Sequence, residues 1–365
     1  MERCDVLIVG GGPAGSSCAR ALRAAGLDVV VMDKAVFPRD KVCAGWITPA
    51  VIDALELDTE DYRRQHVFQP ITGFRVGLLE GPMREARYDK PASYGIRRCE
   101  FDNYLLQRTG ARLRLGEAVR QLTRIPDGWQ VNDALQAPLI VGAGGHFCPV
   151  ARALGADVGH TEVSVKAQET EFEIETSQQS SYLCKPEVPE LYFCKDLRGY
   201  GWCVRKGNFI NIGLGREGDH GLAQQVSAFH KFLEEQGRIP AGLRPRYQGH
   251  AYLLYPHAGR KLVDDNTLLI GDAAGLAHPQ TGEGIRPAAE SGLAAAATIR
   301  ESAGDCRGER LAGYVERLHR SLGRPGAGPS GWVPGAARLA LGRALLRSPW
   351  LTRRVVLDGW FLQGI

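Results

Sequence analysis

What this chain lacks narrows it first. Its 365 residues hold no uninterrupted apolar run long enough to span a bilayer, so no transmembrane helix is expected. The first ten residues hold two acids ahead of a strand-like run, not a basic and then apolar leader, so no secretory signal is expected. An excess of one charge is missing too. The 45 Lys and Arg nearly balance 41 Asp and Glu, and the formal +4 without a basic arm argues against nucleic-acid binding. The nine cysteines are odd in number with no C-x-x-C pair, and the nine histidines show no ligand-like spacing. Reduced thiols, no metal and a cytoplasmic location are therefore expected.

What is present points to an α/β protein of more than one domain. The residues are 44% hydrophobic and 24% charged, as in globular proteins, and the length exceeds that of one usual compact domain. Cys4–Gly10 (CDVLIVG) reads as a short buried strand, GGPAGSSCARALRAAG as a helix stopped by Gly26, and Leu27–Lys34 (LDVVVMDK) as a parallel-sheet strand. Between the strands, Gly10, Gly12, Pro13, Ala14 and Gly15 fit G-x-G-x-x-G, and Asp33 ends the second strand. That context makes a weak pattern a dinucleotide fingerprint. Glycines let backbone approach a pyrophosphate, the helix N-terminus attracts its charge, and Asp33 is placed to accept from an adenosine ribose.

Further along, Tyr94–Gly110 carries Arg98 and then Phe101-Asp102 at a helix start, Ala111–Val131 reads as strand, turn and strand, and Ala137–Gly155 as a buried strand with a second glycine cluster. Residues from about 157 to 265 alternate or are rich in aromatics, as in an antiparallel sheet, with Gly221–Gly237 as an interposed helix. Asn266–Ile299 returns to a buried strand, ending at Gly271-Asp272, and a long alanine-rich helix starting near Gly284. Arg324–Gly335 is a linker by composition. The expected organisation is a Rossmann-type domain of 1–60, 94–156 and 266–323, an inserted β-sheet substrate domain of 61–93 and 157–265, and a helical C-terminal tail, 324–365.

The first glycine motif does not separate NAD from FAD; the later ones do. An acid at Asp272, far downstream, suits the hydroxyls of a ribityl chain, which NAD lacks. Gly282, Gly284 and Ile285 place backbone N–H groups at a helix start, whose dipole favours the charge of a reduced flavin. Four separated segments resemble the FAD-dependent geranylgeranyl reductases, relatives of the aromatic hydroxylases and flavin-dependent halogenases. They are Gly10–Gly15 with Asp33; Arg98 with Phe101-Asp102; Val141–Ala143 with its turn; and Gly271-Asp272 with Gly282–Ile285. The resemblance implies FAD contacts from Arg98, Lys34, Val119, Gly142 and Ala143 besides the residues already named.

It also implies a role for Lys41-Val42-Cys43-Ala44-Gly45, which looks like the family's Lys-x-Cys-Gly-Gly segment beside the flavin, with Ala44 in place of a glycine. Cys43 is then the first catalytic candidate, against the plain reading of a small hydrophobe filling space. Tyr200-Gly201-Trp202-Cys203-Val204-Arg205 keeps the aromatics of the family's Tyr-x-Trp-x-Phe-Pro segment but not its Phe-Pro. Tyr200 and Trp202 either line a substrate cavity or fill a sheet core. The family's usual aspartate is replaced by Gly144.

The implied activity is hydride transfer from reduced FAD to a C=C bond of a hydrophobic or lipid substrate, isoprenoid in the family. Hydroxylation by a monooxygenase needs the same fold and stays open, as does a flavin-binding maturation factor. The halogenase motif Trp-x-Trp-x-Ile-Pro is missing. No second dinucleotide motif occurs, so NAD(P)H or an electron carrier would bind transiently as reductant. In the tail, Arg338, Arg343, Arg347, Arg353 and Arg354 interleave with apolar residues and Trp350; this reads as a peripheral membrane contact or as helices packed on the substrate domain. His278 is a weaker candidate beside the flavin, and His257 reads as structural.

Overall fold

The computed structural model describes residues 1–159, 162–175, 177, 182–218, 221–324 and 335–362. Most of the expected linker, Arg324–Gly335, lies outside the described residues, and Arg338 lies in a helix without a described side chain. The chain divides into two compact units.

The first unit comprises the described residues of Met1–Arg39, Cys99–Val163 and Tyr252–Ala327. Its six-stranded sheet runs, edge to edge, Val263–Asp264, Thr267–Leu269, Leu139–Gly142, Val6–Val9, Val29–Asp33, Arg112–Leu115. Every pairing but the first is parallel. Val6–Val9 is buried throughout, as a strand with neighbours on both edges and helices above must be. Helix Pro13–Ala24 packs closely on helix Ile285–Glu301, where a side chain on Gly292 would meet the Ala14 carbonyl oxygen at 2.3 Å. The stretch 111–131, expected as strand, turn and strand, is split between two sheets. Arg112–Leu115 joins the parallel sheet, while Leu122–Ile125 and Gly128–Val131 form an antiparallel hairpin in a separate four-stranded one.

The second unit comprises the described residues of Asp40–Arg98, Ser164–Ala251 and Gly328–Ile365. Its seven-stranded sheet has the order Gln248–Tyr252, Val165–Glu173, Phe209–Glu217, Gly199–Lys206, Glu190–Phe193, Gly73–Leu78, Met83–Arg87. On one face Ile210, Ile212, Leu214, Cys203 and Tyr192 pack against helix Leu222–Glu235. On the other, Trp202, Val204, Leu191 and Phe193 meet Leu346, Val356, Leu357 and Phe361 of the C-terminal helices.

The unit boundaries differ from those expected, for identifiable reasons. Residues 40–60 leave the nucleotide domain because Trp46–Ile47 pairs with Ser93–Ile96 in a three-stranded sheet of the second unit. The tail is no separate element: Phe361 lies 5.5 Å from the Tyr200 ring and 6.2 Å from that of Trp46. Residues 253–265 belong to the first unit because Val263–Asp264 pairs with Thr267–Leu269. Among the described residues no helix is long and apolar enough to cross a membrane.

Candidate active site

In the first unit, the turns after three adjacent parallel strands converge. Gly10 follows Val6–Val9 with φ +118°, a conformation glycine adopts freely, and a Cβ there would sit 2.2 Å from the Ala143 carbonyl oxygen. Ala143, after the neighbouring strand, donates its N–H to the Val9 carbonyl (2.8 Å). Gly271, after the third, leaves only 2.9 Å between its would-be Cβ and that of Ala14. The three segments singled out from the sequence thus form one cradle. Asp33 is fixed in it by the N–H groups of Gly11 (2.8 Å) and Ala35 (2.9 Å).

The cradle fits FAD. Helix Pro13–Ala24 starts at Gly12 with no side-chain cap and no acid in its first turn, which leaves its N-terminal N–H groups to an anionic pyrophosphate. Helix Ile285–Glu301 starts at Gly284 with no acid in its first turn, though the Glu283 carboxylate just before it accepts from the Arg286 N–H (2.8 Å). The Asp272 carboxylate lies beside that start, with Oδ1 3.3 Å from the position of a Gly284 Cβ. Gly282 takes a positive φ in the loop that the His278 N–H and Glu283 carbonyl close at 2.8 Å. His278 is held below its ordinary pKa by burial and by Arg286, so it stays neutral near pH 7. Lys34 is exposed behind Asp33, and Val119 packs on the core beyond the edge strand Arg112–Leu115.

Two arginines complete this unit, and the sequence alone did not mark them. Arg39 ion-pairs with the fully buried Asp102 at 3.3 Å, lies over the Phe37 ring, and comes within 3.5 Å of a would-be Gly12 Cβ. Arg260 forks onto Glu162 at 2.6 and 2.7 Å and donates to the carbonyls of Ala273 (2.9 Å) and His146 (3.0 Å). It thereby ties the Asp272 turn to the turn that follows Ala143.

In the second unit, strand register sets the candidate residues in one field. Glu169, Gly213 and Trp202 lie opposite one another on adjacent strands, as do Glu171, Asn211 and Val204 in the next row. The bare Gly213 leaves room for the indole, since a Cβ there would be 2.3 Å from Trp202 Cζ2. Trp202 Nε1 donates to Asn211 Oδ1 (2.7 Å), and Asn211 Nδ2 donates to the Cys43 carbonyl (3.3 Å). The two family-like segments, Cys43-Ala44-Gly45 and Tyr200-x-Trp202, are thus linked through one asparagine. Tyr200 turns instead into an aromatic group with Phe193 (5.7 Å) and Phe361. Arg98 is buried at the start of helix Arg98–Gln107.

The Cys43 loop rests on ionised groups. Lys206, fully buried, spends its three protons on Glu171 Oε2 (2.6 Å) and the carbonyls of Ala44 (3.2 Å) and Ile96 (3.0 Å). Against the opposing effect of burial, Lys206 and Arg97 hold the Glu171 carboxyl below its usual range. Glu169 behaves oppositely. Burial pushes its pKa up to about 7, against the Cys43 N–H, Lys206 and Asn211. Thr48 occupies the cap position before helix Pro49–Ala54, but its buried hydroxyl makes no hydrogen bond.

This combination of a parallel sheet, a glycine cradle and an uncapped helix start at Gly12 defines a flavin-binding oxidoreductase fold, and comparison with known proteins narrows it. Residues 3–321 match the FAD binding domain family. The chain is 31% identical over 331 residues to a menaquinone reductase of Mycolicibacterium smegmatis, covering 80% of this chain and 76% of that protein. It is 27% identical over 348 residues to a digeranylgeranylglycerophospholipid reductase of Methanothrix thermoacetophila, covering 88% and 84%. Among solved structures, a geranylgeranyl bacteriochlorophyll reductase-like protein from Thermoplasma acidophilum superposes with TM-score 0.74 at 19% identity, covering all of this chain and 92% of that one. The halogenase PltM in complex with FAD gives 0.68 at 17%, covering 87% and 73%. The chain belongs to the FAD binding domain family and is an FAD-dependent oxidoreductase.

Proposed function

We propose that this protein reduces C=C bonds of a hydrophobic, isoprenoid-bearing substrate. Bound FAD, once reduced, supplies the hydride that adds to one alkene carbon, and a proton adds to the other. In the first unit, Gly10–Gly15, Asp33, Lys34, Val119, Gly142, Ala143, Gly271, Asp272, Gly282, Gly284 and Ile285 bind and orient the cofactor; Arg98 and Ala44 are the contacts carried by the resemblance. Cys43 is the catalytic candidate that the resemblance carries. The observation that carries the reading is the hydrogen-bonded run from Trp202 through Asn211 to the Cys43 carbonyl, which sets an apolar, aromatic face directly behind the cysteine loop. The names of the relatives, reductases of menaquinone and of a digeranylgeranyl lipid, support it.

The test is product analysis. FAD-loaded protein, reduced without oxygen and given a digeranylgeranyl lipid, should return a product heavier by two hydrogens for each double bond reduced, with Cys43→Ala keeping its FAD but losing turnover. A product formed only in air and carrying an added oxygen would overturn the reading in favour of a monooxygenase. NAD(P)H or an electron carrier reduces the flavin by transient binding. The C-terminal helices touch an anionic membrane where that substrate resides: Trp350 and Leu341 are exposed, with Arg343, Arg347, Arg353 and Arg354 exposed around them. Co-sedimentation with anionic but not neutral vesicles, lost on Trp350→Ser, is the expected outcome.

A further inference from the structure

The Cys43 loop is gripped at three backbone atoms by three side chains, and only one of these side chains can change charge near neutrality. Asn211 holds the Cys43 carbonyl, Lys206 holds the Ala44 carbonyl, and Glu169 accepts the Cys43 N–H. Lys206 and Glu171 form a closed pair, with Arg97 on the other Glu171 oxygen at 2.8 Å. With its three protons committed, Lys206 has none left for Glu169. Glu169 is 6% exposed, and its Oε2 is buried without a hydrogen-bond partner. A buried carboxylate with no cation of its own is costly, whereas a neutral carboxyl is tolerated. The remaining charged groups around the loop lie elsewhere: Lys41, two residues before Cys43, bonds the His250 ring on strand Gln248–Tyr252 at 2.8 Å.

We propose that Glu169 is a positioning residue for the cysteine loop: as a neutral carboxyl it holds the Cys43 backbone in place, and on ionising it releases it. Its consequence for turnover rests on the proposed role of Cys43; the release itself does not. Once ionised, the carboxylate is better solvated with the loop lifted away than with the loop seated. Loop opening then becomes more favourable by up to about tenfold per pH unit from the ordinary carboxyl value of 4.5, which the group regains in the open loop, up to the seated group's pKa near 7, and levels off above it.

The experiment is peptide-resolved alkylation of Cys43 with iodoacetamide on the FAD-loaded protein across pH, with the half-buried Cys306 of the first unit as internal reference. In the wild type the Cys43 to Cys306 ratio should climb several-fold between about pH 5 and about pH 7 and level off above neutrality. In Glu169→Gln, which keeps an acceptor but has no proton to lose, it should stay at the low-pH wild-type level throughout. Glu169→Leu, which has no acceptor, should be fast at every pH. Superimposable wild-type and Gln profiles would overturn the proposal, as would a Leu variant indistinguishable from Gln. Should either variant fail to fold, a wild-type ratio without a rise between about pH 5 and about pH 7 overturns it alone. None of these readings needs substrate, so loop release without lipid reduction would sink the proposed function and leave Glu169's role standing.

Discussion

Replacing Arg260 by methionine should cost stability in a way that depends on pH with a worked-out sign. Methionine fills the volume of the arginine stem but brings no donor, so Glu162 loses its forked partner and the carbonyls of His146 and Ala273 lose theirs. Arg260 is 1% exposed at the side chain, and breaking such a buried pair costs about 3–5 kcal/mol. With an unfolding entropy of about 2.1 cal/mol/K per residue over 365 residues, about 4 kcal/mol lowers Tm by about 5 °C if the chain unfolds in one step. The pH dependence comes from His146. Arg260 Nη2 donates to its Nδ1 (3.2 Å), which requires the neutral ring and turns Nε2 toward Glu162 at 3.9 Å. Burial, then Arg260, hold its pKa below the ordinary 6.5, so the unfolded chain binds the proton better and wild-type stability falls as pH drops through 6.5. In the variant the second cause is gone and Glu162 stands alone; a protonated His146 then replaces part of the lost cation. The Tm deficit, followed by circular dichroism, should be largest at about pH 8 and smaller at about pH 5.5. An equal deficit at both, or a larger one in acid, would refute this reasoning.

Gly12→Ala separates binding from folding. A Cβ there meets only the Arg39 guanidinium, at 3.5 Å, so the apoprotein should melt as the wild type does while FAD affinity falls about tenfold or more, because backbone can no longer close on the pyrophosphate. Unchanged FAD affinity by fluorescence titration would remove Gly12 from the cofactor site. Gly213→Ala should cost about 1–3 kcal/mol, because its Cβ must displace the Trp202 ring now 2.3 Å away. The indole fluorescence should shift as the bond to Asn211 breaks, and an unshifted spectrum would contradict that.

The parts of this protein legible in its sequence are those whose physics is local. The strand at Val6–Val9, the glycines after it and Asp33 all fall within one βαβ unit, where the apolar run and the turn chemistry say the same thing. The residues that escaped notice draw their meaning from partners far along the chain. Arg260 stands 114 residues from His146, and Lys206 stands 162 residues from Ala44. In sequence, Arg260 is one basic residue beside Lys261, and Lys206 follows the Tyr200–Arg205 segment as one more basic residue; only the fold removes water from them. Glu169 was hidden differently. It sits in the alternating pattern of Val165–Glu173, where an acid reads as solvent-facing, but its neighbour two strands away is Trp202 and the row between them is bare at Gly213.

The choice between core aromatics and substrate-side aromatics at Tyr200 and Trp202 therefore has a different answer for each. Two residues apart on one strand, they share a face, and the C-terminal helices cover that face unevenly. Tyr200 meets Phe361 and is held by ring packing, so it belongs with the tail that closes the sheet. Trp202 is 6% exposed, yet its one polar atom is spent on Asn211, whose amide is spent in turn on the Cys43 carbonyl. A buried indole needs an acceptor for its N–H, and any asparagine or backbone carbonyl would serve. That the acceptor found also grips the cysteine loop makes Trp202 part of the loop's support rather than filler. The same loop is held at its other backbone atoms by a committed lysine and an uncommitted glutamic acid. A loop required only to pass over a sheet would need neither, since a bulky apolar residue in place of the Lys206–Glu171 pair would pack there at lower cost of desolvation.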